Sequence, residues 1–191
     1  MGGIIVTVVD WIVGLLVAAV IVVLLAKLIL CALGKEDIRV KTDAPFELVS
    51  KDGNSMVIQK KLTYYNEGKQ CATLMDAFVR PLLPYEQYDG IEARGKAERE
   101  GYPREDDYFE AVLIQKKGDR NHEDVLNVYA KVKLTARKGM SLDEALTKMV
   151  DLPLDVIWQE TGRTPWHYRK VQLILPAEEI AKLAGVTLKL D

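Results

Sequence analysis

The residues best suited to binding lie in one segment, residues 84–107, where tyrosines stand amid dense charge. Protein interfaces favour tyrosine and arginine, which combine a large contact area with hydrogen-bonding groups. The candidate contact residues in this segment are Tyr85, Tyr88, Arg94, Tyr102 and Arg104. Ordinary hairpin loops have about two to five residues, so the segment is predicted to be a long charged insertion loop. Residues 90–101 are predicted to form a short exposed helix within it.

A solvated loop without a partner is the competing interpretation of residues 84–107, because charge this dense is compatible with simple solvation. A third interpretation gives the segment carboxylate chemistry. Neighbouring acids such as Glu105 and Asp106 can in principle act as general acid and base. Nothing in the sequence places these two carboxylates in a pocket, so we favour binding over catalysis.

The second candidate surface is an aromatic turn near residues 158–168, where Trp158, Trp166 and Tyr168 flank a tight Gly/Pro turn. One interpretation is that the rings cap the open end of the domain, since tryptophan carries a large apolar area that prefers burial. The alternative is a contact surface formed by Trp166 and Tyr168. If the turn faces a bilayer, the rings could act as an interfacial anchor.

No recognisable catalytic or metal-binding motif occurs in the sequence, which has no GxSxG, P-loop, GxGxxG or CxxC pattern. His122 lies in the polar turn 119–124 without calcium-loop spacing, and this turn is predicted to be solvated. His167 is predicted to belong to the aromatic turn. Cys71 is predicted to be a small buried apolar residue. We therefore expect no metal, no cofactor and a protein that is not an enzyme.

The charge balance argues against nucleic acid as a partner. The chain has 26 basic and 28 acidic residues, a formal net charge of −2. Phosphate binding needs a basic face, which this balance does not favour. The two cysteines, Cys31 and Cys71, lie in different parts of the chain and are not expected to form a disulfide framework.

The element that must position these surfaces is an apolar stretch at residues 4–33, interrupted only by Asp10 and Lys27. A bilayer core of about 30 Å needs about 20 apolar helical residues. We therefore predict a single-pass signal-anchor helix in the cell membrane, with the lipid bilayer as its partner. A cleaved signal peptide is the alternative, but no basic residue precedes the run and the run is too long.

The side of the membrane is predicted differently by two arguments. All basic residues near the anchor are on its C-terminal side: Lys27 lies near its end, and Lys35, Arg39 and Lys41 follow it. The positive-inside rule then places the soluble part in the cytoplasm. Single-anchor β-sandwich domains, in contrast, are commonly exported. On that analogy we favour an extracytoplasmic domain.

The soluble part, residues 38–191, shows the period of two that is typical of β-strands. Strands are predicted at residues 38–40, 46–48, 56–64, 71–83, 109–115, 126–136, 156–158, 169–175 and, more weakly, 186–190. The run 71–83 is apolar on both faces, as expected of a central strand. Seven or eight short strands with turns between them predict an antiparallel, immunoglobulin-like β-sandwich.

Two short helices are predicted among these strands. Residues 141–144 form a capping box in which Ser141 accepts from the first-turn amides, and Pro153 is expected to end the segment. Residues 176–179 open a second helix with proline and acids, and Gly185 is placed to terminate it.

These elements predict a non-enzymatic, membrane-anchored domain that mediates protein contacts at the membrane surface. Only residues 34–37 separate the apolar stretch from the first predicted strand, so any partner is expected close to the bilayer. The alternative is a membrane-bound enzyme, or a protein that binds a small ligand or metal through residues 84–107.

Overall fold

The computed structural model describes residues 2–107, 109–118 and 125–189. Two compact units follow one another along the chain, Met1–Lys35 and Glu36–Asp191, and we call the second the β domain. The elements in chain order are α1 Gly2–Leu33, β1 Ile38–Lys41, β2 Phe46–Lys51, β3 Ser55–Asn66, β4 Ala72–Pro81, a 3-10 turn Tyr85–Gln87, β5 Ile91–Arg99, β6 Val112–Ile114, β7 Val125–Ala136, α2 Leu142–Leu146, β8 Leu152–Thr161, β9 His167–Leu175 and α3 Ala177–Ala184.

The first unit consists of α1, which is a candidate membrane span by its length and composition. Thr7–Leu33 is 27 residues long, an 18-residue window within it has a mean hydropathy of 3.0, and none of that window is buried within the chain. At 1.5 Å per residue, 27 residues extend over about 40 Å, which exceeds a hydrocarbon core of about 30 Å.

The β domain consists mainly of two antiparallel sheets. In sheet 1 the strand order is β1-β3-β7-β5, and β2 also pairs with β3. β1 and β2 occupy successive halves of the same β3 edge, because β7 covers the other edge. β7 shows the predicted alternation, with every second side chain from Leu126 to Ala136 buried. In sheet 2 the strand order is β6-β4-β8-β9.

A bulge in β4 explains why its sequence is apolar on both faces. Asp76 has a φ of 49°, and the pairing of β4 with β8 shifts register between Met75 and Phe78. An extra residue in a strand moves all later side chains to the opposite face. Leu74 and Val79 are therefore both buried, whereas Phe78 is 41% exposed. β4 lies between β6 and β8, as predicted for a central strand, but one of its faces is only partly covered instead of buried.

The core is a single cluster of buried side chains drawn from both sheets and both short helices. Trp158 of β8 packs against Tyr64 of β3, with ring centroids 5.1 Å apart and planes at 81°. The two sheets also approach closely at Gly95 of β5. A Cβ at this position would lie 2.2 Å from the Val79 carbonyl oxygen and 2.8 Å from Pro81 Cδ.

The predicted helix at residues 90–101 is wrong, because this stretch forms strand β5. β5 pairs with β7 along its whole length, from Ile91 opposite Ala136 to Arg99 opposite Val128. Its inward positions are mostly small residues, which weakened the alternation that identifies a strand. The segment 84–107 is therefore a turn, a strand and a connection rather than one long loop.

Three smaller predictions also need correction. Residues 186–189 form no strand, because the backbone there leads back to α2 and Lys189 N donates to Thr147 O at 2.8 Å. β8 begins at Leu152, so Pro153 lies within a strand, where its carbonyl accepts from Leu82 N at 2.8 Å. β6 is shorter than the predicted strand 109–115.

The strand register gives the β domain two ends. Glu36, Asn66 and the β8–β9 turn after Thr161 lie at the end where the chain enters, which we call the linker end. The 3-10 turn, α2 and α3 lie at the opposite end, which we call the far end. The 12 residues of β3 run between these ends, so they are roughly 37 Å apart at about 3.4 Å per residue.

We predict that Gly95→Ala destabilises the protein by about 1–3 kcal/mol, because the added methyl overlaps a backbone atom that cannot move independently. Denaturant unfolding of the full chain in detergent, followed by circular dichroism, measures this change. Gly53→Ala is the matched control, since its Cβ would meet nothing within 4 Å and should change stability by less than about 0.5 kcal/mol. Equal midpoints for both variants would contradict the close approach.

Candidate functional site

The structure distributes the predicted contact residues over separate places instead of one surface. Tyr85 and Tyr88 precede β5 at the far end, whereas Tyr102 and Arg104 follow β5 at the linker end. Arg94 lies in the middle of the strand. Trp166 and Tyr168 belong to the turn and the start of β9.

The tyrosine pair at the far end is exposed. Tyr85 is 83% exposed and Tyr88 is 48% exposed, and their rings meet edge to face at 5.8 Å. Pro84, with φ of −58°, directs the chain from β4 into the 3-10 turn that carries Tyr85. Two aromatic rings on a short turn form a rigid apolar projection that needs few ordered dihedral angles when bound.

A groove of about 420 Å³ lies between the tyrosine-bearing turn and α2, and we call this surface, with Tyr85 and Tyr88, the tyrosine groove. Its lining residues are Glu86, Gln87, Asp89, Gly90, Lys138, Met140, Glu144, Ala145 and Lys148. Gln87 Nε2 donates to the Lys148 carbonyl at 3.0 Å, and Lys138 Nζ contacts Asp89 Oδ1 at 2.6 Å. These contacts connect the tyrosine-bearing turn to Lys138 and to Lys148 on the other side of the groove.

α2 forms one wall of the tyrosine groove, and its own sequence determines where it begins and which face it buries. Ser141 Oγ accepts from Glu144 N at 3.2 Å, as the predicted N-cap. Leu142 and Leu146 are buried in the core, which leaves Glu144 and Lys148 toward the groove. The groove therefore offers apolar contact, acids and lysines together, a combination suited to a polypeptide segment.

The guanidinium groups predicted to bind partners are engaged within the chain. Arg94 Nε contacts Glu92 Oε1 at 2.6 Å. Arg104 contacts Asp106 at 2.9 Å and Glu110 at 2.7 Å. The Tyr102 ring is covered by the guanidinium of Arg99, with Cζ 4.3 Å from the ring centroid. The Arg94 contact lies within β5, and those of Arg104 and Tyr102 lie in the β5–β6 connection.

The carboxylates named as alternative acid–base groups, Glu105 and Asp106, lie in the β5–β6 connection. Asp106 is paired with Arg104, and Glu105 is exposed. Within residues 2–107, 109–118 and 125–189, no cluster of three His, Cys, Asp or Glu side chains could hold a metal. The turn 119–124 with His122 lies outside the described residues.

Sequence reasoning missed a polar network around Glu100. Its carboxylate contacts Lys61 Nζ at 2.7 Å and accepts from Tyr129 OH at 2.9 Å and Asn127 Nδ2 at 2.7 Å. The hydrogen bond from Lys61, followed by those from the other two groups, lowers the pKa of Glu100. The network joins the end of β5 to β3 and β7, and only the strand register brings these residues together.

The β8–β9 turn and the start of β9, residues 161–168, form what we call the aromatic hairpin. Trp166 is 63% exposed and Tyr168 is 59% exposed, and their rings meet edge to face at 6.2 Å. Trp158, in contrast, is 2% exposed and belongs to the core. The interpretation that all three rings are buried is therefore right for Trp158 and wrong for Trp166 and Tyr168.

The buried carboxylate of Glu160 contacts residues at the base of the aromatic hairpin. Glu160 is 2% exposed, and its Oε2 accepts from Trp158 Nε1 at 3.0 Å. Its Oε1 lies 3.2 Å from His167 Nε2 and 3.3 Å from Arg169 Nη1. A buried carboxylate needs such partners to offset its lost hydration. These contacts connect Glu160 to His167 and Arg169 at the start of β9.

Glu36 holds the tip of the same hairpin from the linker. Its carboxylate accepts from the backbone amides of Arg163 at 3.0 Å and Thr164 at 2.9 Å, and from the Thr164 hydroxyl. Burial acts to raise the pKa of Glu36, but the hydrogen bonds from Thr164 and Arg163 outweigh it and lower the pKa to about 2. We call this contact the Glu36 clamp.

Cys71 lies beside the Glu36 clamp, since its carbonyl oxygen is 3.0 Å from the position of a Cβ built on Gly162. The side chain is half-buried, and its thiol contacts Gln115 Oε1 at 3.0 Å. The prediction of a small buried apolar cysteine was therefore wrong, because the residue precedes β4 at the open linker end.

We predict that Glu36→Gln lowers stability at pH 7 by about 1–2 kcal/mol, less than the pKa shift alone implies, because solvent screens a partly exposed carboxylate. The lowered pKa means that the full contribution is present above pH 4.5 and is lost as pH falls toward about 2. Unfolding midpoints of wild type and variant should therefore converge on acidification.

Glu105→Gln is the control for this measurement, because Glu105 is exposed and its replacement should change stability by less than about 0.5 kcal/mol. A constant difference between wild type and Glu36→Gln from pH 7 to pH 3 would contradict the Glu36 clamp.

Comparison with known proteins assigns no family to this chain. No family model matches it, and no curated protein matches it. Among solved structures, the GAE domain of GGA2p from Saccharomyces cerevisiae is similar with 8% identity and a TM-score of 0.34, over 74% of this chain and 91% of that one. The yeast GGA1_GAE domain-P21 structure is similar with 6% identity and a TM-score of 0.30, over 69% and 99%. Similarity at this level assigns neither a fold family nor a function.

Proposed function

We propose that this chain is a single-pass, membrane-anchored, non-enzymatic protein whose β domain binds another membrane protein through the tyrosine groove. The observation that carries the proposal is the exposed Tyr85–Tyr88 pair beside a groove of about 420 Å³. Exposed aromatic anchors next to a concave surface are the usual centre of a protein interface.

The architecture we propose for the β domain is an immunoglobulin-like sandwich of sheets 1 and 2. The core cluster shared by the two sheets and the Trp158–Tyr64 contact between them support this. Inner faces that bury their alternate side chains against each other are the defining feature of a sandwich. The cysteine pair of true immunoglobulin domains is absent from the sequence, so the likeness is one of architecture.

Membrane anchoring through residues 4–33 is supported by the composition and length of α1. Four residues, 34–37, connect α1 to β1, and an extended chain of this length covers at most about 14 Å. The tether would keep the β domain at the bilayer surface, with a far end roughly 37 Å from the linker end. A partner within reach of a domain tethered this closely would be another membrane protein.

We propose that the β domain lies outside the cytoplasm, as is common for single-anchor sandwich domains. Lys133, which is exposed on β7, is the position to label after Lys133→Cys in a chain whose native cysteines are replaced by serine. An impermeant maleimide should label it in intact cells. Labelling only after permeabilisation would place the domain in the cytoplasm, as the basic residues after the anchor favour.

The tyrosine groove is tested by photocrosslinking in native membranes. With a benzoylphenylalanine at position 85 of the full chain, we expect one discrete protein adduct. Tyr88→Ala in this background should lower the adduct yield about tenfold or more, since truncating an interface aromatic typically costs ~2 kcal/mol. Tyr88 is half-exposed, so its removal should leave the fold intact.

Two matched controls accompany this crosslinking experiment. The same photoreactive residue at Lys133 should give no adduct, and Tyr102→Ala, at the other end of β5, should leave the adduct at position 85 unchanged. Equal adducts at positions 85 and 133, or no effect of Tyr88→Ala, would refute the role of the groove.

A further inference from the structure

We infer that the aromatic hairpin is a second membrane contact, in which Trp166 and Tyr168 insert into the lipid headgroup region beside the anchor. The inference rests on the proposed membrane anchoring of α1. It assigns these two residues to lipid rather than to a protein partner, and so separates them from Tyr85 and Tyr88.

The first argument is the place where the hairpin is held. The Glu36 clamp bonds its tip to a residue that lies three positions after Leu33, the last residue of α1. Chain length alone limits the Leu33–Glu36 separation to about 11 Å. About 20 helical residues counted from Trp11 cross a bilayer core and end near residue 31. The clamped tip therefore stays within reach of the headgroup region.

The second argument is the kind of side chain that the hairpin exposes. Trp166 and Tyr168 leave more than half of their surface uncovered, although each carries an apolar ring. Tryptophan and tyrosine are the residues that concentrate at membrane–water interfaces, where the ring is in contact with lipid and the polar group with water. Their edge-to-face contact at 6.2 Å holds both rings on one surface.

The third argument is the charge around the rings. Residues 161–177 contain no Asp or Glu but contain Arg163, His167, Arg169 and Lys170. Two carboxylates that contact the hairpin are engaged within the chain: Glu36 contacts the backbone amides of its tip, and Glu160 contacts His167 and Arg169. A hairpin with basic side chains and no carboxylate of its own is compatible with the negative potential of anionic lipids.

The contrast with the far end supports the assignment to lipid. Glu86 lies between Tyr85 and Tyr88 in the sequence and Asp89 follows them, and anionic lipid headgroups would repel carboxylates at that position. The clamp holds the aromatic hairpin at the linker end, where the bilayer would lie, and the tyrosine pair is at the opposite end. The two exposed aromatic pairs therefore fit different partners.

The test uses the full chain reconstituted in vesicles that contain phosphatidylglycerol, with flotation as the measure of membrane anchoring. Wild type and Trp166→Phe are compared in vesicles whose lipids carry bromine near the headgroup end of the acyl chains. The difference between their emission spectra isolates Trp166 from Trp11 and Trp158. We expect this difference emission to be shifted to shorter wavelength, to lose most of its intensity in brominated lipid and to resist aqueous iodide.

The control is the double variant Tyr85→Trp/Trp166→Phe, which moves the reporter ring to the far end. Its added emission should be insensitive to brominated lipid and fully quenched by iodide. Iodide quenching of Trp166 in a chain that floats would overturn the hairpin contact while leaving the anchor intact. Protection from iodide without quenching by brominated lipid would also overturn it, in favour of coverage by a second copy. Failure to float would overturn the anchor and the hairpin contact together.

Discussion

The packing of Trp158 against Tyr64 is the interaction on which the β domain depends. It joins the two sheets in the core, and an edge-to-face aromatic pair contributes about 0.5–1.5 kcal/mol beyond the area it buries. The indole N–H also donates to Glu160, whose other oxygen contacts His167 and Arg169. The core and the exposed aromatic hairpin are thereby parts of one continuous set of contacts, and the Glu36 clamp extends this set to the linker.

The two ends of the β domain differ in chemistry, and the proposals follow from that difference. At the linker end, Glu36 and Glu160 are engaged within the chain beside two outward aromatic rings. At the far end, exposed tyrosines stand among acids and lysines beside a groove. The linker end carries the surface that we propose contacts lipid, and the far end carries the surface that we propose contacts a protein.

Strands with large alternating side chains were predictable from sequence, whereas β5 was not. β7 alternates large aliphatic residues with polar ones, so its period of two is plain. β5 places Gly95 and Ala97 on the inner face because sheet 2 approaches too closely there for larger side chains. That close approach is a tertiary constraint, and it removed the hydrophobic signal that would have identified the strand. The β4 bulge had the opposite effect. Because the buried positions change parity at the bulge, a strand with one buried face has a sequence that looks apolar on both faces.

The sequence by itself determined the apolar helix, most strands, the caps at Ser141 and Gly185, and which residue types could form contact surfaces. These features depend on local periodicity and local hydrogen bonds, which adjacent residues fix. Only the tertiary structure decided which candidates belong together. It placed Tyr88 and Tyr102 at opposite ends of a strand, buried Trp158 while exposing Trp166, and brought Glu36 to Thr164 across the chain. Such long-range pairings depend on strand register and sheet packing, and no local pattern encodes them.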